Sequence, residues 1–259
     1  MRQPFFVLLF FLITVVAKAQ INTERYHQDY QTKGYIFSNA FGFNFASGNT
    51  KYLELSNTFR GDYNGDRDDY MVIAEYTYKT SKGVKAANRG FLHIRSFQQI
   101  GEQQFFQTEE YSQLEFNEFL LLRSRFLLGG GFRFDPVALA DSATRSKNTL
   151  KAFLGTGLFY EFERYSTNPT EDFHHLRWSS YLSLVWALNQ NTGINLVNYI
   201  QPVASDFSNF RYYSVLNLST LLSGKLYYDL SFTLYDRSRP VGGKKSVDLE
   251  ARNTFRYKF

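Results

Sequence analysis

The stretch "SVDLEARNTFRYKF" at the end of the chain alternates strictly. Val247, Leu249, Ala251, Asn253, Phe255, Tyr257 and Phe259 form one row, and Asp248, Glu250, Arg252, Thr254, Arg256 and Lys258 form the other. A period of two is the signature of a strand, whose neighbouring side chains point to opposite faces. The pattern recurs upstream. In 174–188 the row Leu176, Trp178, Leu182, Leu184, Trp186 and Leu188 opposes Arg177, Ser179, Tyr181 and Ser183. In 224–237 the row Leu226, Tyr228, Leu230, Phe232 and Leu234 opposes Lys225, Tyr227, Asp229, Ser231, Thr233 and Arg237. In 121–134, Leu122, Ser124, Phe126, Leu128, Gly130, Phe132 and Phe134 oppose Arg123, Arg125 and Arg133.

Turn residues cut this rhythm into segments, among them "SGNT", "DYNGDRD", "SKGVKAAN", "LSGK" and "RSRPVGGKK". They predict about twelve strands, near 34–47, 50–61, 68–79, 89–100, 104–117, 121–134, 149–163, 174–188, 192–203, 209–222, 224–237 and 245–259. Alternation is blurred in 89–100 and 104–117. The fold class is therefore all-β; alternation alone fits a soluble sandwich as well as a single antiparallel up-and-down transmembrane β-barrel over residues 34–259, and further features favour the barrel.

Three features place the apolar rows outside. A barrel of about twelve strands leaves an interior too wide for apolar side chains to fill. Many of the segments exceed the ~9–11 residues that cross a bilayer at a tilt, and few are as short as typical soluble strands. Trp178 and Trp186 share a face eight residues apart, about 20 Å along the membrane normal at ~3.3 Å per residue and ~40° tilt. That spacing suits two aromatic girdles. The charged rows then face a polar lumen: Glu115, Arg123, Arg125, Arg133, Glu161, Arg177, Asp229, Glu250 and Arg252.

The N-terminus supports the same destination. Arg2, the apolar run Phe5–Val16 and Ala17-Lys18-Ala19 compose a cleavable signal peptide over 1–19. Residues 20–33 are polar and patternless and are expected to form a flexible N-terminal segment. Of 259 residues, 44% are hydrophobic and 19% aromatic, with 27 Phe and 19 Tyr, a bias that suits strands. Cysteine is absent, which excludes disulfides, thiol chemistry and a lipid-modified N-terminal Cys. The net charge of +5 is dispersed with alternating sign, so no basic block points to nucleic acid.

Two stretches carry a family resemblance. "FGFNFASGNTKYLELSNTF" resembles the opening hairpin of the salt-induced outer-membrane protein family, a domain family of unknown function, with Ser47, Gly48, Asn49 and Thr50 at the turn. "FFQTEEYSQLEFNEFLLLRSRFLLGGGFRF" resembles its next landmark, an acidic strand leading to an Arg-bearing strand and the cluster Gly129, Gly130 and Gly131. The resemblance implies an outer-membrane barrel and brings no catalytic residues. Phe255, Tyr257 and the terminal Phe259 resemble the signal read by the barrel-assembly machinery of Gram-negative bacteria. The expected partners are outer-membrane lipid, that machinery and periplasmic chaperones, and the barrel is expected to act as a monomer.

Candidate chemistry is sparse. "EDFHH" gathers Glu171, Asp172, His174 and His175, but adjacent histidines on a strand point to opposite faces and do not share an ion. Asp62, Asn64 and Asp66 begin a calcium-like spacing that no glutamate closes, which leaves a polar hairpin turn. Gly129–Gly131 lie inside an alternating strand with no helix after them, so they mark a bulge or a close strand approach, not a phosphate loop. No metal, cofactor or catalytic constellation is expected, and a hydrolase is the least supported class. The leading reading is a narrow, charge-lined barrel with a structural, envelope-stress or limited solute-passage role. The alternative is an open porin-like channel for small polar solutes. Hairpin register on this pattern sets Arg123 between Glu115 and Glu161, with Arg133 facing Lys151.

Overall fold

The computed structural model describes residues 33–47, 51–101, 105–137 and 150–258. The predicted signal peptide, residues 20–32 of the polar segment and Phe259 lie outside these. Twelve strands follow in order: β1 (Gly34–Ala46), β2 (Tyr52–Asn64), β3 (Asp68–Ser81), β4 (Val84–Gln99), β5 (Phe106–Asn117), β6 (Leu122–Phe134), β7 (Leu150–Tyr165), β8 (Glu171–Ala187), β9 (Thr192–Ile200), β10 (Arg211–Ser223), β11 (Leu226–Arg237) and β12 (Val247–Lys258). Each pairs antiparallel with its sequence neighbours, and β12 returns to β1 to close the barrel. Closure leaves no strand at an open end of the sheet. The closing seam is short: four residue pairs, from Ser38↔Lys258 to Phe41↔Phe255, join β1 to β12.

Turn chemistry sets the hairpins. Between β3 and β4, Lys82 and Gly83 both take positive φ (52° and 79°), the two-residue turn whose twist matches that of the flanking strands. The start of β1, the end of β12 and the β2–β3, β4–β5, β6–β7, β8–β9 and β10–β11 connections share one end of the barrel, the terminal end. The other connections share the opposite end, the loop end. The 135–148 insert joins β6 to β7 at the terminal end, and only residues 135–137 of it are described.

The outer face is apolar. Phe43, Phe45, Leu114, Leu128, Leu249 and Phe255 are each more than half exposed, and they are spread over four strands. An apolar surface this continuous is what a barrel presents to lipid.

The lumen departs from one expectation. A twelve-stranded interior is wide, yet here much of it is filled. Phe153, Tyr181, Val197, Tyr199, Tyr213, Val215 and Tyr235 form a buried core inside the barrel, and Met71, Ile73 and Phe91 form a second. Long arginine, tyrosine and phenylalanine side chains reach far enough to meet across the space that the strand number opens. Glycines make room for them. On the inner face, a Cβ on Gly155 would lie 1.9 Å from the Tyr181 ring, and one on Gly157 would lie 2.3 Å from the Gly130 carbonyl. The Gly cluster thus marks a close approach of β6 and β7 under an aromatic lid.

Candidate functional site

The lumen is crossed by three sets of polar ties. The first is centred on Glu161 of β7. Its carboxylate accepts from Arg125 on β6 (2.8 Å), from Arg177 on β8, and from Arg211 on β10, three strands away (2.8 Å). Arg211 also reaches Glu163 at 2.6 Å, and Arg125 reaches Glu115 on β5 at 3.1 Å. All six side chains are buried. Three guanidinium groups face three carboxylates, so the cluster balances charge where neither sign could stay alone. Planar guanidinium forks suit such shared carboxylates. Farther across, Arg237 of β11 donates to the Tyr165 hydroxyl of β7 (3.4 Å).

The second tie joins β4 and β5 to β8. Arg95 donates to Glu109 (2.5 Å) and to the Tyr181 hydroxyl (3.0 Å), and Tyr181 in turn donates to Glu109 (2.7 Å). Beside it the Arg133 guanidinium lies 3.7 Å from the Phe153 ring centroid and 4.5 Å from that of Phe97. The third tie joins β12 to the opposite wall. Arg89 of β4 meets Glu250 at 3.3 Å, and Arg252 meets Glu75 of β3 at 3.2 Å and Glu250 at 2.8 Å.

Two connections cover the loop end. The β11–β12 connection spans the mouth: Val241 packs on the cluster of Leu120, Leu122 and Tyr165, and Lys244 sits 4.5 Å over the Phe119 ring. The β9–β10 connection folds down onto β8, where its Gln201 and Asn209 carbonyls accept from Arg177 (3.1 and 3.3 Å). Arg239 pins these two connections together through Asp206 (2.8 Å) and Ser208 (2.9 Å). The Ser208 hydroxyl, and then the charge of Arg239, hold the Asp206 carboxyl below its ordinary value.

The terminal end differs. A cavity of about 280 Å³ opens there, walled by β1, β2, β8–β12 and the β8–β9 turn. Arg252 lies among its lining residues and ties it to the third set of ion pairs. Two further pairs line it: Asp229 with Arg256 (2.7 Å), and Asp62 with Arg60.

The structure places most of the sequence-predicted residues in this scheme. Glu115, Arg125, Arg133, Glu161 and Arg177 point inward and are buried, and Asp229, Glu250 and Arg252 point inward and are half-buried. Arg123 is a correction. A bulge sets Arg123 and Ser124 together across from Phe116, and Arg123 is the extra residue against β7 as well. Leu122 therefore turns inward to join Leu120 and Tyr165, and Arg123 is exposed outside. The register moves with it: Glu115 pairs with Arg125, Glu161 faces Leu127, and Arg133 faces Gly155, not Lys151. The seat between Glu115 and Glu161 is real, and Arg125 occupies it. Trp178 and Trp186 lie exposed on the outer face of β8, as do Phe255 and Tyr257 on β12. Phe259 lies outside the described residues. His174 faces outward, where the Tyr160 hydroxyl is 2.6 Å from its Nδ1, while His175 has the opposite parity. Asp62 is engaged with Arg60, and Asp66 with Lys33.

Sequence reasoning missed Arg60, Arg89, Arg95, Glu109, Glu163, Arg211 and Arg256 as members of the ties. Parity within "YEFER" puts Glu161 and Glu163 on one face, and that signal alone would have found Glu163.

Several solved structures resemble the fold loosely. An outer membrane channel from Pseudomonas putida F1 superposes with a TM-score of 0.47 at 8% identity, covering 93% of this chain and 99% of the channel. The NanC porin gives 0.44 at 10% identity, with 86% and 97% covered. The translocator domain of the autotransporter NalP from Neisseria meningitidis gives 0.44 at 11% identity, with 89% and 90% covered. Identities this low carry no residue-by-residue correspondence. No curated protein matches the sequence. A family model does match, over residues 40–259, and the chain accordingly belongs to the family described as "Protein of unknown function, DUF481".

Proposed function

We propose that this protein is a monomeric, non-enzymatic barrel of a Gram-negative outer membrane whose lumen is closed at rest by its own side chains. The observation that carries the reading is the Glu161 cluster, which binds β5, β6, β7, β8 and β10 to one another through the lumen. An open pore keeps its charges on its walls, in water. Here buried charges meet across the interior, and the loop end is covered as well. The exposed apolar rows supply the lipid-facing surface, and the predicted signal peptide suits export. Delivery would use periplasmic chaperones and the barrel-assembly machinery, through Phe255, Tyr257 and Phe259. A structural or envelope-stress role fits a closed barrel, and the resemblance to salt-induced outer-membrane proteins points the same way.

One observation favours limited solute passage as a second reading. The terminal end already holds a cavity, so an opening of the loop end alone would leave the Glu161 cluster and the β12 ties as the remaining barrier. Single-channel recording of the purified protein in planar bilayers tests both readings. Wild type should show little steady conductance, and Glu161→Gln and Glu250→Ala combined with removal of residues 239–245 should raise it. A large, steady wild-type conductance would overturn the closed-lumen reading and put the porin-like channel ahead.

A further inference from the structure

We propose that the cavity at the terminal end is a binding site for a small neutral polyol, of monosaccharide to disaccharide size. At about 280 Å³ it sits near the lower end of ligand cavities, roughly 300–1,000 Å³. Its walls mix neutral hydroxyls and amides, from Ser38, Thr58, Asn217, Ser219 and Thr254, with two guanidinium–carboxylate pairs.

The chemistry of those pairs selects the ligand. A sugar hydroxyl both donates and accepts, and a vicinal pair of hydroxyls can do both at once. Set against Arg256 and Asp229, one hydroxyl accepts from the guanidinium while its neighbour donates to the carboxylate. The Arg60–Asp62 pair offers the same combination on the neighbouring wall. Arg60 is 6% exposed, and Asp62 holds its Nε and Nη2.

An anion is the poorer fit. Of the four lining cations, Arg60, Arg252 and Arg256 each already face a carboxylate, so an entering anion would meet compensated charge at these three and only Lys258 besides. A purely apolar ligand would strand the hydroxyl wall. The apolar side of a sugar ring finds Ile36 and Ala40, and Tyr227, whose ring lies 4.5 Å from the Arg256 guanidinium, adds an aromatic surface.

The test is isothermal titration calorimetry of the purified full-length barrel in a detergent without a sugar headgroup. The probes are glucose, maltose, maltotriose, glucuronate and inorganic phosphate. Saturable binding of at least one neutral sugar is expected, with phosphate and glucuronate weaker by about tenfold or more. Asp229→Asn removes one half of a pair, and Thr254→Phe fills the cavity without touching an ion pair. Each should weaken sugar binding by about tenfold or more, while the heat-modifiable gel band still reports a folded barrel. If Asp229→Asn does not fold, Thr254→Phe decides. No saturable heat from any of the three sugars, a preference for the anions, or sugar binding unchanged in the folded variants would overturn the site. The site requires a folded barrel and no particular conductance. Sugar binding with a large conductance would therefore reject only the closed lumen, and a silent calorimeter with low conductance would reject only the site.

Discussion

Arg125 offers the sharpest test of the closed lumen. Its side chain is 2% exposed and bonds Glu115 and Glu161, which are both fully buried at the side chain. Replacing it with Met keeps much of the volume and removes the charge. Glu161 would still hold Arg177 and Arg211. Among the described residues, Glu115 would keep only the Gln113 amide (3.0 Å) as a direct hydrogen-bond partner, with no ion pair. Breaking a buried pair in this way costs about 3–5 kcal/mol, because an uncompensated charge stays in a dry site. Arg123, two residues earlier and exposed, is the internal control, and Arg123→Met should change stability by no more than about 0.5 kcal/mol. Adding Glu115→Gln to Arg125→Met removes the stranded charge, so the double variant should recover part of the loss, with a coupling of about 0.5–3 kcal/mol. The assay is equilibrium urea unfolding of all four proteins in one lipid, with heat-modifiability confirming the folded state. Arg125→Met within about 1 kcal/mol of wild type would mean a water-filled lumen, where such pairs contribute little. Equal losses at Arg123 and Arg125 would refute the bulge.

The other expectations concern the outer face and the glycine patch. Leu128 is 56% exposed at mid-strand on β6, so Leu128→Arg should cost about 2–4 kcal/mol in liposomes if that face meets lipid, whereas Thr254→Arg at the cavity should cost much less. Equal costs in a folding titration would reject the lipid-facing assignment. Gly157→Ala sets a Cβ against the Gly130 carbonyl, where only backbone can yield, and should destabilise by about 1–3 kcal/mol in the same titration. A neutral result would show that β6 and β7 are less closely apposed.

The blurred strands explain themselves once the barrel is closed. β4 carries Phe91, His93, Arg95 and Phe97 on its buried inner face, and β5 carries Glu110 and Ser112 outside. Both faces are mixed, so no clean apolar row exists to read. The cause is the filled lumen: an interior crossed by arginines also needs rings to stack them, as Arg95 does over Phe97 at 4.7 Å. The inference that a wide barrel must be polar inside fails for the same reason, although the fold that it supported stands.

Residue by residue, the sequence determined what is local. Alternation is a property of neighbouring residues, so the twelve strands and, apart from β4, β5 and the start of β6, their inward and outward rows could be read directly, whereas "SKGVKAAN" reads as one long turn and proves to be the two-residue Lys82-Gly83 turn with the rest inside β3 and β4. Parity also marked Glu115, Arg125, Glu161, Arg177 and Glu250 as inward. Tertiary structure alone decided which inward charges meet. Arg89 and Glu250 are 161 residues apart, and only closure of β12 on β1 sets them on facing walls. The Arg123 bulge is of the same kind. Nothing in "LLRSRF" announces an extra residue; it arises because burying Leu122 against Leu120, Tyr165 and Val241 at the barrel mouth outweighs an unbroken ladder, and Tyr165 and Val241 come from distant parts of the chain.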